Sequence, residues 1–242
     1  MGSILSVDLA YKSYQDFGFC LIEESNGKVL NIEFPSYLSI GLSGVPRAKV
    51  FVQNVLDFCL RKTISIIMLD GPQGWKDPEN GLAHQRVCEK ILNTQAKTGT
   101  KGIVKPANFT SFVSFAINIF RLLNNSGQIS LVIEPLINLS LGKILLVETY
   151  PYSAWRSLNI KPLPGKKKHT SENILLNFEF LERRFKLPRT ILPSHDELSA
   201  LVAGMAGVAV TSSNSSGYVA SGIPPKLAPD GYLTEGYIVN PK

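Results

Sequence analysis

The chain has 242 residues, of which 44% are hydrophobic and 18% are charged. This balance is ordinary for a globular protein and excludes a disordered or fibrous chain. A chain of this length buries roughly 70 to 75% of its unfolded surface, so its core needs no disulfide staples. Lysine and arginine exceed the acidic residues by 25 to 19. This excess is compatible with a polyanionic partner, and equally with a basic surface that only aids solubility.

The three cysteines, at positions 20, 59 and 88, are odd in number and form no C-x-x-C pair. They therefore predict neither a disulfide framework nor a zinc site, and a reducing, cytoplasmic location fits them best. The longest nearly apolar stretch, residues 198–210, is too short to span a bilayer. We expect no export signal and no membrane anchor.

The first three predicted elements are short apolar or alternating runs at residues 4–10, 18–24 and 28–34. Their pattern indicates antiparallel strands joined as a meander. Asn26 and Gly27 separate the second run from the third, and this pair favours a tight hairpin turn because both residues tolerate positive φ.

The next elements alternate between helical and strand patterns. Apolar residues at helical spacing predict an amphipathic helix over 47–62, and the apolar, β-branched run 63–69 predicts a parallel strand buried on both faces. A second buried strand is predicted over 142–149. Further helices are predicted over residues 79–93, 109–123, 171–185 and 194–210.

The tail beyond the last helix is rich in Ser, Asn, Gly and Pro and predicts a loop, with one short strand near residues 237–239. No repeat and no long linker divides the chain, so we expect one domain over residues 1–242. Three antiparallel strands, a helix, and parallel strands alternating with helices follow the ribonuclease H order. The predicted fold is therefore α/β, with a mixed five-stranded sheet flanked by helices.

Three acidic residues, Asp8, Asp70 and Glu148, each lie at the end of an apolar strand-like run. Asp is disfavoured in strands, and a carboxylate carried into a sheet loses hydration unless a cation or donors replace it. Carboxylates that converge at the ends of neighbouring strands favour Mg²⁺ or Mn²⁺, and two such ions can promote phosphodiester hydrolysis. Alternatively, Asp70 belongs to a simple turn and Glu148 only caps a strand or pairs with a lysine.

Asp196 is a fourth candidate, at the start of a predicted helix. Ser194 and Glu197 have the spacing of a capping box, and an acidic residue in a first helical turn also interacts favourably with the helix dipole. We interpret Glu197 as a capping residue. For Asp196 both a capping role and a site role stay open.

Five short motifs occur in the chain: Val7 to Ala10, Leu69 to Gly74, Arg86 with Cys88 and Glu89, Glu148 to Pro151, and His195 to Ala200. In this order they resemble the predicted-nuclease family called domain of unknown function 429, which has a ribonuclease H-like fold. The segment Glu235 to Ile238 is similar to the closing segment of that family. The resemblance implies a nuclease, although a shared fold does not fix chemistry.

The resemblance implies roles at the matching positions. Asp8 would be the metal ligand of the first strand, Asp70 that of the fourth strand, and Asp196 that of the last helix, as in Holliday-junction resolvases of the same superfamily. Glu148 would be an adjoining acidic contributor. Those resolvases carry a second helix acid three residues after the first, and here Ser199 replaces it. A hydroxyl is a poorer ligand, so a second ion would bind weakly or not at all.

Three further residues are candidates for substrate binding. Arg86, three positions before Glu89, either forms an ion pair on the surface or contacts a phosphate. His195 can orient a water or a phosphate beside Asp196. Lys167 belongs to a basic loop that either grips a nucleic-acid backbone or is simply solvated.

Together these residues predict a nuclease that uses one or two Mg²⁺ or Mn²⁺ ions on DNA or RNA. The alternative is a non-catalytic nucleic-acid-binding or scaffold protein with a degenerate metal site.

Overall fold

The computed structural model describes residues 2–140 and 142–242. Its strands are β1 (Gly2–Asp8), β2 (Gly18–Ser25), β3 (Lys28–Glu33), β4 (Ile66–Asp70), β5 (Lys97–Thr98), β6 (Val104–Lys105), β7 (Ile129–Leu131), β8 (Ile144–Thr149), β9 (Tyr218–Leu227) and β10 (Leu233–Pro241). Its helices are α1 (Ala48–Lys62), α2 (Val87–Leu92), α3 (Thr110–Asn124), α4 (Pro151–Ser157), α5 (Ser171–Phe185) and α6 (His195–Thr211). Short 3-10 turns cover Tyr14–Asp16 and Ala107–Phe109.

Eight of these strands form one mixed sheet in the order β3-β2-β1-β4-β8-β10-β9, with β7 paired to β8. Strands β1, β2 and β3 are antiparallel, whereas β4 and β8 join β1 in parallel. This arrangement confirms the predicted α/β fold with its meander followed by parallel strands. The predicted number of five strands is wrong, because β7, β9 and β10 extend the sheet.

The tail is the largest departure from the sequence prediction. Instead of a loop with one short strand, β9 and β10 form a long antiparallel hairpin, and β10 pairs with β8 at Ile238 and Glu148. Pro224 and Pro225 suggested a loop, yet β9 is the edge strand, where proline is tolerated because one side needs no ladder hydrogen bonds.

One prediction in the middle of the chain is also corrected. The helix expected over 79–93 is only α2, because the Asn80 side chain accepts a hydrogen bond from the Leu82 amide and donates one to the Gln85 carbonyl. Such a local side-chain bond stabilises a turn at the expense of a helix. The chain after β8 forms helix α4, and its proline occupies a favourable first helical position.

Side chains alternate between two buried layers along the central strands. Ile4, Ile66 and Val147 pack in the layer that contains α5 and α6. Leu5 and Leu69 pack on the opposite face with α1 and α3. This two-residue period is the one that a strand imposes, and it fixes the face on which each strand-end acid lies.

Helix α6 crosses the centre of the sheet against β1, β2 and β4. Its small residues allow this approach, since a side chain at Gly204 or Gly207 would press on Ser6, Ile22 or Ile4. The three cysteines are buried free thiols. Within residues 2–140 and 142–242, no helix has the length and hydropathy needed to cross a membrane.

Candidate active site

Strand alternation places Asp8 and Asp70 on the same face of the sheet as α6. Val7 of β1 is the register partner of Leu69 of β4, so the acid that follows each residue lies at the same level of the two adjacent strands. Leu69 is also the partner of Glu148 in β8, whereas Asp70 is paired with Thr149. Asp8 and Asp70 are therefore direct neighbours on one face of the sheet. Glu148 precedes the residue that pairs with Asp70, so its side chain lies on the opposite face.

The Asp8 and Asp70 carboxyl groups are neighbours that line the same cavity, and their charges interact. Burial, and then the charges of Asp70 and Asp196, raise the pKa of Asp8 well above its ordinary value. Burial also raises the pKa of Asp70 to about 7. Two carboxylates this close repel one another, so the pair holds either a proton or a cation.

Asp196 reaches the same place from the first turn of α6. The helix start lies directly over Gly18 of β2, where a β-carbon would overlap the Asp196 carbonyl group. Gly18 is the register partner of Asp8. The absence of a side chain at Gly18 therefore allows the first turn of α6 to lie close to the end of β1.

The Asp196 carboxylate is bound by two cationic or ionisable side chains of its own chain. Its Oδ2 lies 2.5 Å from Lys166 Nζ, and its Oδ1 lies 3.0 Å from His195 Nδ1. Burial alone would raise the pKa of Asp196, but the hydrogen bonds from His195 and Lys166 lower it. The bond to Asp196 raises the pKa of His195. The predicted capping box is confirmed as well, with Ser194 and Glu197 bonded reciprocally.

Glu148 belongs to a buried ion-pair network behind this cluster. Arg86 donates to both of its oxygens, with Nη1 2.8 Å from Oε2 and Nη2 2.6 Å from Oε1, and the Gln73 amide donates to Oε2. Arg86 Nε donates to Glu89 Oε1 at 3.1 Å. The expected ion pair between Arg86 and Glu89 exists, but it is buried rather than on the surface.

The loop that carries Arg86 is fixed by Glu235 of β10. This fully buried carboxylate accepts hydrogen bonds from the backbone amides of Asp77 and Val87 and from the side chain of Asn80. Sequence reasoning assigned no role to Glu235 beyond its place in a motif. The signal that could have found it is the same as for Asp8, an acid within a strand-like run.

A cavity of about 570 Å³ opens at these residues. Asp8, Asp70, Glu148, Asp196 and His195 line it together with Arg86 and Lys166. Partly exposed aromatic side chains complete the wall, namely Tyr11, Phe109, Phe112 and Tyr150. Its volume is that of a typical small-ligand pocket, and its chemistry is acidic at the strand ends and aromatic around them.

The basic loop contributes a different residue from the one predicted. Lys167 is exposed and does not line the cavity, whereas its neighbour Lys166 does. The three lysines of this loop have equal sequence signals. Only the folded position of the loop distinguishes Lys166 from the other two.

Asp8 and Asp70 have the donor chemistry for a divalent cation, since both offer carboxylate oxygens from adjacent strand ends. Across the described residues, no three His, Cys, Asp or Glu side chains are grouped closely enough to hold one ion. Asp8 and Asp70 therefore fit a cation site with two carboxylate ligands, in which water would supply the remaining ligands. A cation there would offset the repulsion between the two carboxylates.

The fold and the site define a mixed-sheet α/β protein with acidic residues at the carboxyl ends of its central strands. The chain is similar in structure to RuvC of Thermus thermophilus, at 12% identity and a TM-score of 0.38, over 86% of this chain and 95% of that one. For T. thermophilus RuvC in complex with a Holliday junction substrate the identity is 12% and the TM-score 0.39, over 88% and 98%. No family model and no curated protein matches the sequence.

Proposed function

We propose that this protein is a nuclease that hydrolyses phosphodiester bonds of DNA or RNA with the help of Mg²⁺ or Mn²⁺. The observation that carries the proposal is the meeting of Asp8, Asp70 and Asp196 in one cavity, although they come from two strands and a helix. A purely structural role does not explain why Asp8 and Asp70 are buried side by side, because their mutual repulsion raises the energy of the folded state.

Asp8 and Asp70 would hold the cation. When bound, the ion would polarise the phosphodiester and favour formation of a nucleophile from water. Glu148 is a less suitable ligand, because Arg86 and Gln73 already donate to its oxygens. We therefore assign Glu148 to positioning the wall of the cavity.

Other cavity residues suit a nucleic-acid substrate. Lys166 and Lys12 line the cavity and supply positive charge for phosphate oxygens. Phe109, Phe112 and Tyr150 offer partly exposed rings on which a base can stack, in a manner that is tolerant of sequence. The net charge of +6 favours a polyanion over a neutral substrate.

The test is cleavage of labelled single-stranded, duplex and branched DNA and RNA in the presence of Mn²⁺. Wild type is compared with Asp8→Asn, which keeps the shape of the side chain but removes its charge. We expect cleavage by wild type and a loss of at least about 100-fold in Asp8→Asn, in line with the loss of a major electrostatic contribution to catalysis.

Asp57→Asn is the matched control, since Asp57 is exposed on α1 and does not line the cavity. It is expected to cleave at the wild-type rate. Equal cleavage by wild type and Asp8→Asn would contradict the proposed site, and no cleavage of any substrate would contradict the proposed activity.

One observation favours a second candidate function, a non-catalytic nucleic-acid-binding protein. Asp196 is already neutralised by Lys166, and Ser199 donates its hydroxyl to the His195 carbonyl of its own helix. A site without these two ligands could retain the fold and the basic cavity rim while catalysis is lost. Binding of labelled oligonucleotides that persists with EDTA, without cleavage in Mn²⁺, would identify this function.

A further inference from the structure

We propose that the site takes a single divalent cation, at Asp8 and Asp70, and that the Lys166 ammonium occupies the place of a second one at Asp196. This inference rests on the proposed function, because it specifies the metal content of the same site.

The four acids at the centre of the cavity divide into two kinds. Glu148 is bound by Arg86 through two hydrogen bonds, at 2.6 and 2.8 Å. Asp196 has a cationic side chain on one oxygen and an imidazole on the other. Asp8 and Asp70 contact each other instead, with no lysine or arginine bridged to either among the described residues. Of these four acids, only Asp8 and Asp70 lack a cationic partner within the described residues, so a bound cation would balance their charge.

Lys166 is held on both sides. Its Nζ lies 2.5 Å from Asp196 Oδ2 and 3.2 Å from Asp16 Oδ1, and it also donates to the Asp16 carbonyl at 3.3 Å. The Lys166 side chain is 44% exposed, but the Asp196 side chain that it binds is only 13% exposed. The ammonium therefore covers part of a carboxylate that has little other exposure.

His195 occupies the other oxygen of Asp196. Its Nδ1 lies 3.0 Å from Asp196 Oδ1, and its Nε2 lies 3.0 Å from the Pro164 carbonyl. Both ring nitrogens thus face oxygen atoms, and Asp196 Oδ1 is already occupied by this contact. Pro164 lies two residues before Lys166, so the same loop contacts His195 and supplies the ammonium on Asp196.

The helix face offers no further carboxylate for a second ion. Ser199, three residues after Asp196 and therefore its neighbour on the helix surface, donates to the His195 carbonyl. A second ion at Asp196 would have to displace the Lys166 ammonium from both Asp196 and Asp16. An ammonium is a compact point charge that suits this position beside a phosphate.

The test counts Mn²⁺ ions bound per chain, by electron paramagnetic resonance of free Mn²⁺ and by calorimetry, on the full-length protein without nucleic acid. Wild type is compared with Lys166→Met, which keeps the length of the side chain and removes its charge. We expect one ion in wild type and two in Lys166→Met, with the second ion lost again in Lys166→Met/Asp196→Asn.

Lys168→Met is the matched control, since Lys168 is exposed in the same loop and does not line the cavity; it is expected to bind one ion. Circular dichroism verifies that each variant is folded. If Lys166→Met does not fold, Lys166→Gln replaces it in the test. Two ions in wild type, or one ion in both folded Lys166 variants, would overturn the inference and leave the proposed nuclease intact. Absence of any bound ion in wild type would overturn both proposals.

Discussion

Replacement of Arg86 by methionine is expected to cost about 3–5 kcal/mol of folding free energy, because it leaves two buried carboxylates without their counter-ion. The Arg86 side chain is 1% exposed, and those of Glu89 and Glu148 are 3% and 2% exposed. Three charged hydrogen bonds are lost. Only neutral amide donors remain among the described residues, from Gln73 to Glu148 and from the backbone of residue 86 and of Thr98 to Glu89.

The assay is urea unfolding followed by circular dichroism at pH 7. Arg183→Met is the control, since Arg183 forms an ion pair with Glu179 on α5 but its side chain is 80% exposed. It is expected to change the free energy of unfolding by less than about 0.5 kcal/mol. Addition of Glu148→Gln to Arg86→Met should recover at least about 1 kcal/mol, because one unpaired charge is removed. A loss below about 1 kcal/mol in Arg86→Met would refute the reasoning.

Two further predictions concern the strand ends. Gly18→Ala is expected to destabilise the fold by about 1–3 kcal/mol in the same assay, because its β-carbon overlaps the Asp196 backbone. In the comparison variant Gly231→Ala, the added β-carbon meets no atom within 4 Å, and only the positive φ of this position opposes the substitution. Equal losses of stability in the two variants would argue against the close approach of α6 to β2. Burial raises the pKa of Asp70 to about 7, so the unfolded chain releases this proton near pH 4 and the metal-free folded protein only near pH 7. Stability should therefore fall as pH rises between these values, and the fall should be smaller in Asp70→Asn; an unchanged slope would contradict the shifted pKa.

The central part of the fold was predictable because its signals are local. Helix α5 has the predicted bounds, and α1 and α3 agree to within a residue, since their apolar residues recur at helical spacing. The Asn26-Gly27 turn between β2 and β3 has positive φ at both residues, as its chemistry requires. The β9–β10 hairpin escaped prediction because it is stabilised by pairing with β8, a contact that no local pattern of Gly and Pro encodes.

In the candidate site too, local sequence signals predicted some features, and contacts between distant residues determined the others. An acid at the end of an apolar run identified Asp8 and Asp70 as candidates, because burial of a carboxylate demands compensation. The register between strands could not be read from the sequence, and register alone separates Asp70 from Glu148. Likewise, the selection of Lys166 within its loop depends on a contact with Asp196 across 30 positions of sequence.

The hydrogen bonds of Glu235 have a consequence for the order of folding events. The segment between β4 and α2 contains no helix or long strand of its own. It is held by Glu235, which is separated from Asp77 by 158 positions and from Val87 by 148. Contacts between such distant residues form slowly, because the intervening chain must first be ordered. The meander and α1 can assemble early, whereas the wall that carries Arg86 acquires its shape only after β10 joins the sheet. We therefore expect the cavity to be completed late in folding.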